Sequence, residues 1–136
     1  MKVLLVDDEE QFRTAVAKQL SVRGHTVHGA GTGEAGLAMA KAISPDVVLL
    51  DMRLPGMNGT ATLKEMKRVS PLTEIIMLTG HATVKAAMEA INMGAFDYMT
   101  KPMGINELIY KMEDAYKKKR LAKQQIKVAT TPVNNR

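Results

Sequence analysis

The stretch VVLLDMRLPGMNG, residues 47–59, is the strongest indicator of the fold, because an apolar run ends abruptly in an acid, Asp51. A short continuous apolar run followed by turn-forming residues is typical of a strand that is buried on both faces. Burying an unpaired charge is costly, so Asp51 must lie at an exposed strand end or beside a cationic partner.

Composition sets the class of protein before any motif is considered. A chain of 136 residues with 46% hydrophobic content suits one domain with a real core. Cysteine is absent, which excludes disulfides and thiolate metal sites. The sequence has no apolar run of about 18 residues, and its N-terminus, MKVLLVDDEE, lacks the long apolar region of a signal peptide. We therefore expect a cytoplasmic protein that does not contact a membrane.

The net charge of +5 lies entirely in the last part of the chain. Residues 1–103 contain 11 Lys and Arg and 11 Asp and Glu, whereas residues 104–136 contain 8 and 3. A basic tail can attract nucleic acid or an acidic partner, but it is more often a solvated helix end followed by disorder. We predict one domain at 1–120 and a basic, polar tail or linker at 121–136 that is disordered, although KKKRLAKQQ is also compatible with the start of a linker helix.

Strand and helix patterns alternate five times in the first 120 residues. The predicted strands are KVLLV (2–6), HTVHGA (25–30, the weakest), DVVLL (46–50), EIIML (74–78) and FDYM (96–99). Apolar residues at helical spacing follow each strand, and Gly or Pro residues end the first four of these helices. Continuous apolar strands that alternate with helices predict an α/β protein, a three-layer sandwich with a parallel sheet covered on both faces.

Reactive side chains follow four of the five predicted strands. They are Asp7, Asp8 and Glu9 after the first, Asp51 after the third, Thr79 after the fourth and Lys101 after the fifth. Ligands bind at the carboxyl ends of strands in such sheets, so we expect these groups to converge. Clustered carboxylates repel each other unless a cation lies between them, and an oxygen-only set suits Mg²⁺. A carboxylate can also attack a phosphoryl group, with Lys101 and Thr79 holding its oxygens.

Four motifs in this order carry a family resemblance: LLVDDE, DVVLLDMRLPGMNG, IIMLTGH and GAFDYMTKP. Together they resemble the receiver domain of response regulators in bacterial two-component signalling, over roughly residues 1–120. The resemblance implies a flavodoxin-like (βα)5 sandwich around a five-stranded parallel sheet. It also implies a phosphorylation-activated switch rather than an enzyme with a separate substrate. The domain would take a phosphoryl group from a phosphohistidine of a sensor histidine kinase or phosphotransfer protein, and would catalyse its own phosphorylation and dephosphorylation.

The resemblance also implies a role for individual residues. Asp51 would be the phosphoacceptor, assisted by Thr79 and Lys101, and the Lys101–Pro102 bond would be cis. Mg²⁺ would bind Asp7, Asp8 (the more direct ligand), Asp51 and the backbone carbonyl of Arg53. Thr79 and Tyr98 would form the switch, and Arg53 and His81 would tune the phosphoryl lifetime. The fourth helix, fifth strand and fifth helix, at about residues 82–120, would contact a downstream protein or domain, or a second copy in a phosphorylation-linked homodimer.

Other interpretations have weaker support. GTGEAG (31–36) matches a dinucleotide-binding pattern, but it follows the second strand rather than the first, so we interpret it as a turn into a helix. Haloacid-dehalogenase-like phosphatases place their nucleophile after the first strand with a second Asp two positions on, whereas position 53 is Arg here. A nucleic-acid binder is not expected, because no DNA-binding helix pair is recognisable and aromatic content is only 4%. GAFDYMTKP resembles receivers of nitrogen-regulator-type transcription activators, so a stand-alone receiver and part of a longer regulator both remain open.

Overall fold

Strands and helices alternate through the computed structural model, which describes residues 1–80 and 83–130. The strands are β1 (Lys2–Val6), β2 (Thr26–Ala30), β3 (Val47–Asp51), β4 (Glu74–Thr79) and β5 (Asp97–Thr100). The helices are α1 (Glu10–Val22), α2 (Gly33–Ile43), α3 (Gly59–Val69), α4 (Val84–Asn92) and α5 (Ile105–Thr130). Each predicted strand is confirmed to within one residue at either end.

The five strands form one parallel sheet in the order β2-β1-β3-β4-β5. Val6, the last residue of β1, pairs with Ala30 on one side and with Leu50 on the other. Successive strands are added on one side of β1 up to β2 and on the other side from β3 onwards. This change of side leaves a crevice between the carboxyl ends of β1 and β3. Asp7 and Asp51 follow Val6 and Leu50 directly, so both enter this crevice.

Burial explains why the central strands have continuous apolar sequences. The residues 3–6, 47–50 and 75–78 are fully buried, because helices cover both faces of the sheet. Alternate side chains enter two core clusters on opposite faces. One cluster is shared with α2, α3 and α4, and the other with α1 and α5. The weaker strand β2 lies at an edge of the sheet, where its side chains are mostly half-buried or exposed.

Helix α5 extends further than the sequence predicted. Residues 121–130 continue this helix to Thr130, which corrects the expected disorder of these residues and agrees with the alternative that KKKRLAKQQ begins a linker helix. Two lysines attach the helix to the sheet: Lys118 Nζ lies 3.4 Å from Glu74 Oε2, and Lys119 Nζ lies 3.0 Å from Asp46 Oδ1. A helix propagates easily from such an anchored part through Ala, Lys, Gln and Leu. The predicted tail residues 131–136 lie outside the described part of the chain, and the boundary at 120 stays a prediction.

None of the described helices has both the length and the apolar character that crossing a membrane would need.

Candidate functional site

Three carboxylates meet in the crevice between β1 and β3. Asp7 is fully buried and Asp51 is 5% exposed, whereas Asp8 is open to solvent. One carboxylate oxygen from each of the three lies within 4.8 Å of the others. The structure thus brings together the acids that the sequence predicted as a group, with Asp8 on the solvent side.

Lys101 supplies a cationic partner for these acids. Its Nζ donates a hydrogen bond to Asp7 Oδ2 and lies 3.4 Å from Asp51 Oδ2 and 3.9 Å from Glu9 Oε1. The lysine side chain is only 14% exposed. Asp51 ends β3 but is only 5% exposed, so the cationic partner, rather than exposure to solvent, accounts for its position.

The Lys101 backbone fixes the end of β5. The Lys101–Pro102 bond is cis, as predicted. The Lys101 N–H donates to the carbonyl oxygen of Thr79 at 2.7 Å, which ties this segment to the end of β4. The lysine side chain is thereby aimed from β5 towards the acids at β1 and β3.

The electrostatics of the crevice favour an added positive charge. Burial raises the pKa of Asp51, and the Asp7 carboxylate raises it further. The N–H of Arg53, 3.1 Å from Asp51 Oδ1, and the Lys101 charge lower that pKa without cancelling the rise. Burial lowers the pKa of Lys101, but the hydrogen bond to Asp7 and the two carboxylate charges raise it overall. Lys101 therefore stays an ammonium ion. Its single positive charge does not neutralise the three carboxylates of Asp7, Asp8 and Asp51.

Two residues of α1 touch the site although the sequence interpretation gave them no role there. The ring centroid of Phe12 lies 4.2 Å from Lys101 Nζ, a cation–π contact. Arg13 Nη1 donates to the backbone carbonyl of Asp7 at 2.5 Å. Both lie about one helical turn after Asp8, which is the one local signal that could have placed them near the strand ends.

Thr79 and Tyr98 lie on the two strands beyond Asp51. Thr79 ends β4 and is 2% exposed, and it follows Leu78, the residue that pairs with Asp51. Tyr98 on β5 is half-buried and packs against the core cluster that α4 covers. It lines a groove of about 240 Å³ together with Val84, Ala87, Met88, Ile91 and Asn92 of α4. Thr79 thus lies at the edge of the crevice, and Tyr98 lies between the sheet and α4.

The loop after Asp51 is shaped by Gly59 and Asn58. A Cβ at Gly59 would overlap the carbonyl of Asp51 and the backbone of Met52, so glycine lets α3 begin beside the acid. The Asn58 side chain accepts the Ala61 N–H at 2.8 Å and caps α3. Arg53 is exposed, and its carbonyl remains a predicted metal ligand. His81, predicted to tune the phosphoryl lifetime, lies outside the described residues.

Comparison with known proteins gives one consistent family. Residues 3–113 match the family model of the response regulator receiver domain. The chain is 40% identical over 107 residues to the regulatory protein AtoC of Escherichia coli K12, which covers 79% of this chain and 23% of AtoC. It is 38% identical over 113 residues to the DNA-binding transcriptional regulator NtrC of Salmonella typhimurium, which covers 83% of this chain and 24% of NtrC. The chain thus spans about a quarter of the length of these curated relatives.

Solved structures show the same fold. A CheY-like response regulator receiver domain protein from Methanospirillum hungatei JF-1 aligns with a TM-score of 0.85 at 28% identity, covering 89% of this chain and 97% of that chain. NtrX from Brucella abortus in complex with ATP aligns with a TM-score of 0.88 at 32% identity, covering 99% of this chain and 31% of that chain.

The strand order, the acidic crevice and its largely buried lysine define a five-stranded parallel α/β domain with a charged site at the carboxyl ends of its strands. This chain belongs to the response regulator receiver domain family. The predicted flavodoxin-like fold and the predicted role in two-component signalling are confirmed.

Proposed function

We propose that the chain accepts a phosphoryl group on Asp51 from a phosphohistidine of a sensor histidine kinase or phosphotransfer protein. The proposal rests on one observation: the carboxylates of Asp7 and Asp51 and the ammonium group of Lys101 lie together in the crevice between β1 and β3. In the transfer, an Asp51 oxygen forms a bond to phosphorus while the bond between phosphorus and the histidine nitrogen breaks. Water later attacks the phosphorus, releases phosphate and restores the Asp51 carboxylate.

The donor set fits Mg²⁺. Asp7, Asp8 and Asp51 offer only carboxylate oxygens, which are ligands that this hard cation prefers. We assign the ion to these three side chains and the Arg53 carbonyl. When bound, Mg²⁺ would supply positive charge that neutralises the phosphoryl oxygens.

The residues of the chain orient and balance the reacting groups. The Arg53 N–H holds Asp51 Oδ1, which leaves Oδ2 directed towards Lys101. The Lys101 ammonium is kept in place by Asp7 and lies close enough to Asp51 to bind an oxygen of an attached phosphoryl group. The Thr79 hydroxyl lies at the same edge of the sheet and is assigned as a further donor. Because these groups act on the bound phosphoryl, we propose that the domain catalyses its own phosphorylation and dephosphorylation.

Phosphorylation changes the surface formed by α4, β5 and α5. The added dianion attracts donors such as the Thr79 hydroxyl, and movement at the end of β4 reaches Tyr98 on the neighbouring strand. Tyr98 lines the same groove as Val84, Met88 and Ile91, whose side chains are 73%, 60% and 42% exposed. An exposed apolar patch of this kind suits a protein contact. We assign it to a downstream protein or domain, or to a second copy of the chain.

Intact mass spectrometry with a small phosphodonor tests the acceptor and the metal together. Wild type incubated with acetyl phosphate and Mg²⁺ is expected to gain one phosphoryl mass, and to gain none when Mg²⁺ is chelated. Asp51→Asn is expected to gain none. Asp46→Asn, which changes an acid at the opposite end of β3, is the matched control and is expected to react as wild type does. A folded wild type that gains no mass with Mg²⁺ present would overturn the proposal.

A further inference from the structure

The start of α2 packs against the loop that follows Asp51. This start contains the GTGEAG motif (31–36), to which the proposed function gives no role. Glu34 is exposed, yet its Oε1 accepts a hydrogen bond from the backbone N–H of Met57 at 3.0 Å. The contact joins two segments 23 residues apart, so a solvent-facing carboxylate holds the backbone of the 52–58 loop.

Two glycines allow the carboxylate to come this close. Gly56 has φ +71°, and a Cβ there would lie 3.1 Å from Glu34 Oε1. Gly33 is buried, and a Cβ there would overlap the Met57 carbonyl and Thr62 Oγ1. The two glycines therefore let the 52–58 loop lie against the first turn of α2, where a side chain at Gly33 would collide and one at Gly56 would be crowded.

The loop is anchored at both ends beside the phosphorylation site. At its start, the Arg53 N–H donates to Asp51 Oδ1, and the Leu54 side chain is 8% exposed in the core. At its end, Thr62 Oγ1 donates to the Asn58 carbonyl at 2.8 Å. The glycine turn between these anchors is the part that Glu34 holds.

We propose that Glu34 is a positioning residue for the phosphorylation site, acting through its hydrogen bond to the backbone of Met57. The bond holds the 52–58 loop in one conformation, and with it the Arg53 main chain, which donates to Asp51 and is assigned as a Mg²⁺ ligand. The inference rests on the proposed function. When only a fraction of the molecules has the loop in the conformation that binds the ion, the apparent affinity for the ion is the intrinsic affinity multiplied by that fraction.

The expected effect follows from the strength of one hydrogen bond. A hydrogen bond to a charged acceptor changes an equilibrium by roughly 10- to 100-fold when water does not compete for it. Because Glu34 is exposed and water competes for its carboxylate, we expect a three- to tenfold weakening of Mg²⁺ binding in Glu34→Ala. Glu34→Gln keeps an oxygen acceptor without the charge, so it is expected to stay within about twofold of wild type.

Titration of Mg²⁺ alone into isotope-labelled protein, followed by amide NMR shifts, tests the inference without phosphorylation. Glu65→Ala is the matched control, since Glu65 is a carboxylate on α3 that bonds Arg68 instead of the loop. The expected order is wild type, Glu65→Ala and Glu34→Gln close together, with Glu34→Ala weaker and its Met57 amide exchanging faster. The melting temperature, read in parallel, separates positioning from a general loss of stability.

Three results would overturn the inference. Unchanged Mg²⁺ affinity in Glu34→Ala would do so, even if its melting temperature fell. Equal weakening in Glu34→Gln and Glu34→Ala would assign the effect to the charge alone. A folded wild type that binds no Mg²⁺ would overturn the proposed function and this inference together, whereas the first two results would leave the proposed function standing.

Discussion

Replacing Lys101 by Met is the most informative single perturbation of the site. The change removes the positive charge that faces Asp7 and Asp51 and keeps a side chain of similar length. Two largely buried carboxylates then face each other without the lysine between them. We expect a loss of stability in the absence of divalent cations, together with a loss of phosphorylation.

The size of the loss follows from the distances at the site. At 3.4 Å, the attraction between Lys101 Nζ and Asp51 Oδ2 is about 5 kcal/mol at an effective dielectric constant near 20. Desolvation of the lysine offsets part of this energy, and protonation of Asp51, whose pKa is already raised, limits the cost of the unpaired charge. Removing one partner of a buried ion pair costs about 3–5 kcal/mol, and we expect the lower end, about 3 kcal/mol. For a domain of this size that corresponds to roughly 10 °C in Tm.

Thermal unfolding followed by circular dichroism at neutral pH, without metal, measures this loss. Lys111→Met is the matched control, because Lys111 pairs with Asp97 while both side chains are about 30% exposed, so its loss costs less than about 1 kcal/mol. Mg²⁺ is expected to stabilise Lys101→Met more than wild type, since a cation then replaces the lost charge. A Lys101→Met variant no less stable than Lys111→Met would refute this account of the electrostatics.

Two further predictions concern the acceptor and the switch. Because burial raises the pKa of Asp51, its ionised form destabilises the fold above that pKa, and this penalty disappears as the pH falls through it. Asp51→Asn should therefore be more stable than wild type at pH 7 without metal, and this difference in stability should disappear in acid, as measured by denaturant titration. Tyr98→Leu should leave the rate of Asp51 phosphorylation within about twofold, but should abolish the phosphorylation-dependent NMR shifts of α4 amides. Unchanged α4 shifts in this variant would remove Tyr98 from the switch.

The central strands could be predicted because burial on both faces leaves a local signature. Val47 to Leu50 are apolar without alternation, since helices cover both sides of β3. The site residues could be placed because acids, a hydroxyl and a lysine directly follow such strands in sequence. The apolar strands therefore predicted the fold, and the residues at their carboxyl ends predicted most of the candidate site.

Contacts between distant segments could not be predicted in the same way. The position of Phe12 one helical turn after Asp8 indicates only that it lies near the strand ends, not that its ring covers Lys101. Nothing near Glu34 indicates a hydrogen bond to Met57. The extension of α5 was predicted only as an alternative to disorder for a related reason, because the lysines that anchor this helix contact Glu74 and Asp46 in distant parts of the chain. These contacts depend on how the layers pack, which local sequence patterns do not record.

Locating the phosphoryl group on the chain tests the central claim most directly. Protein treated with acetyl phosphate and Mg²⁺ is reduced with borohydride, which converts a phosphorylated aspartate to homoserine, and is then digested and sequenced by tandem mass spectrometry. Our account predicts homoserine at position 51 and unmodified aspartate at positions 7 and 8. Homoserine at position 7 or 8 would contradict this account. So would folded protein that has gained a phosphoryl group but contains no homoserine at positions 7, 8 or 51.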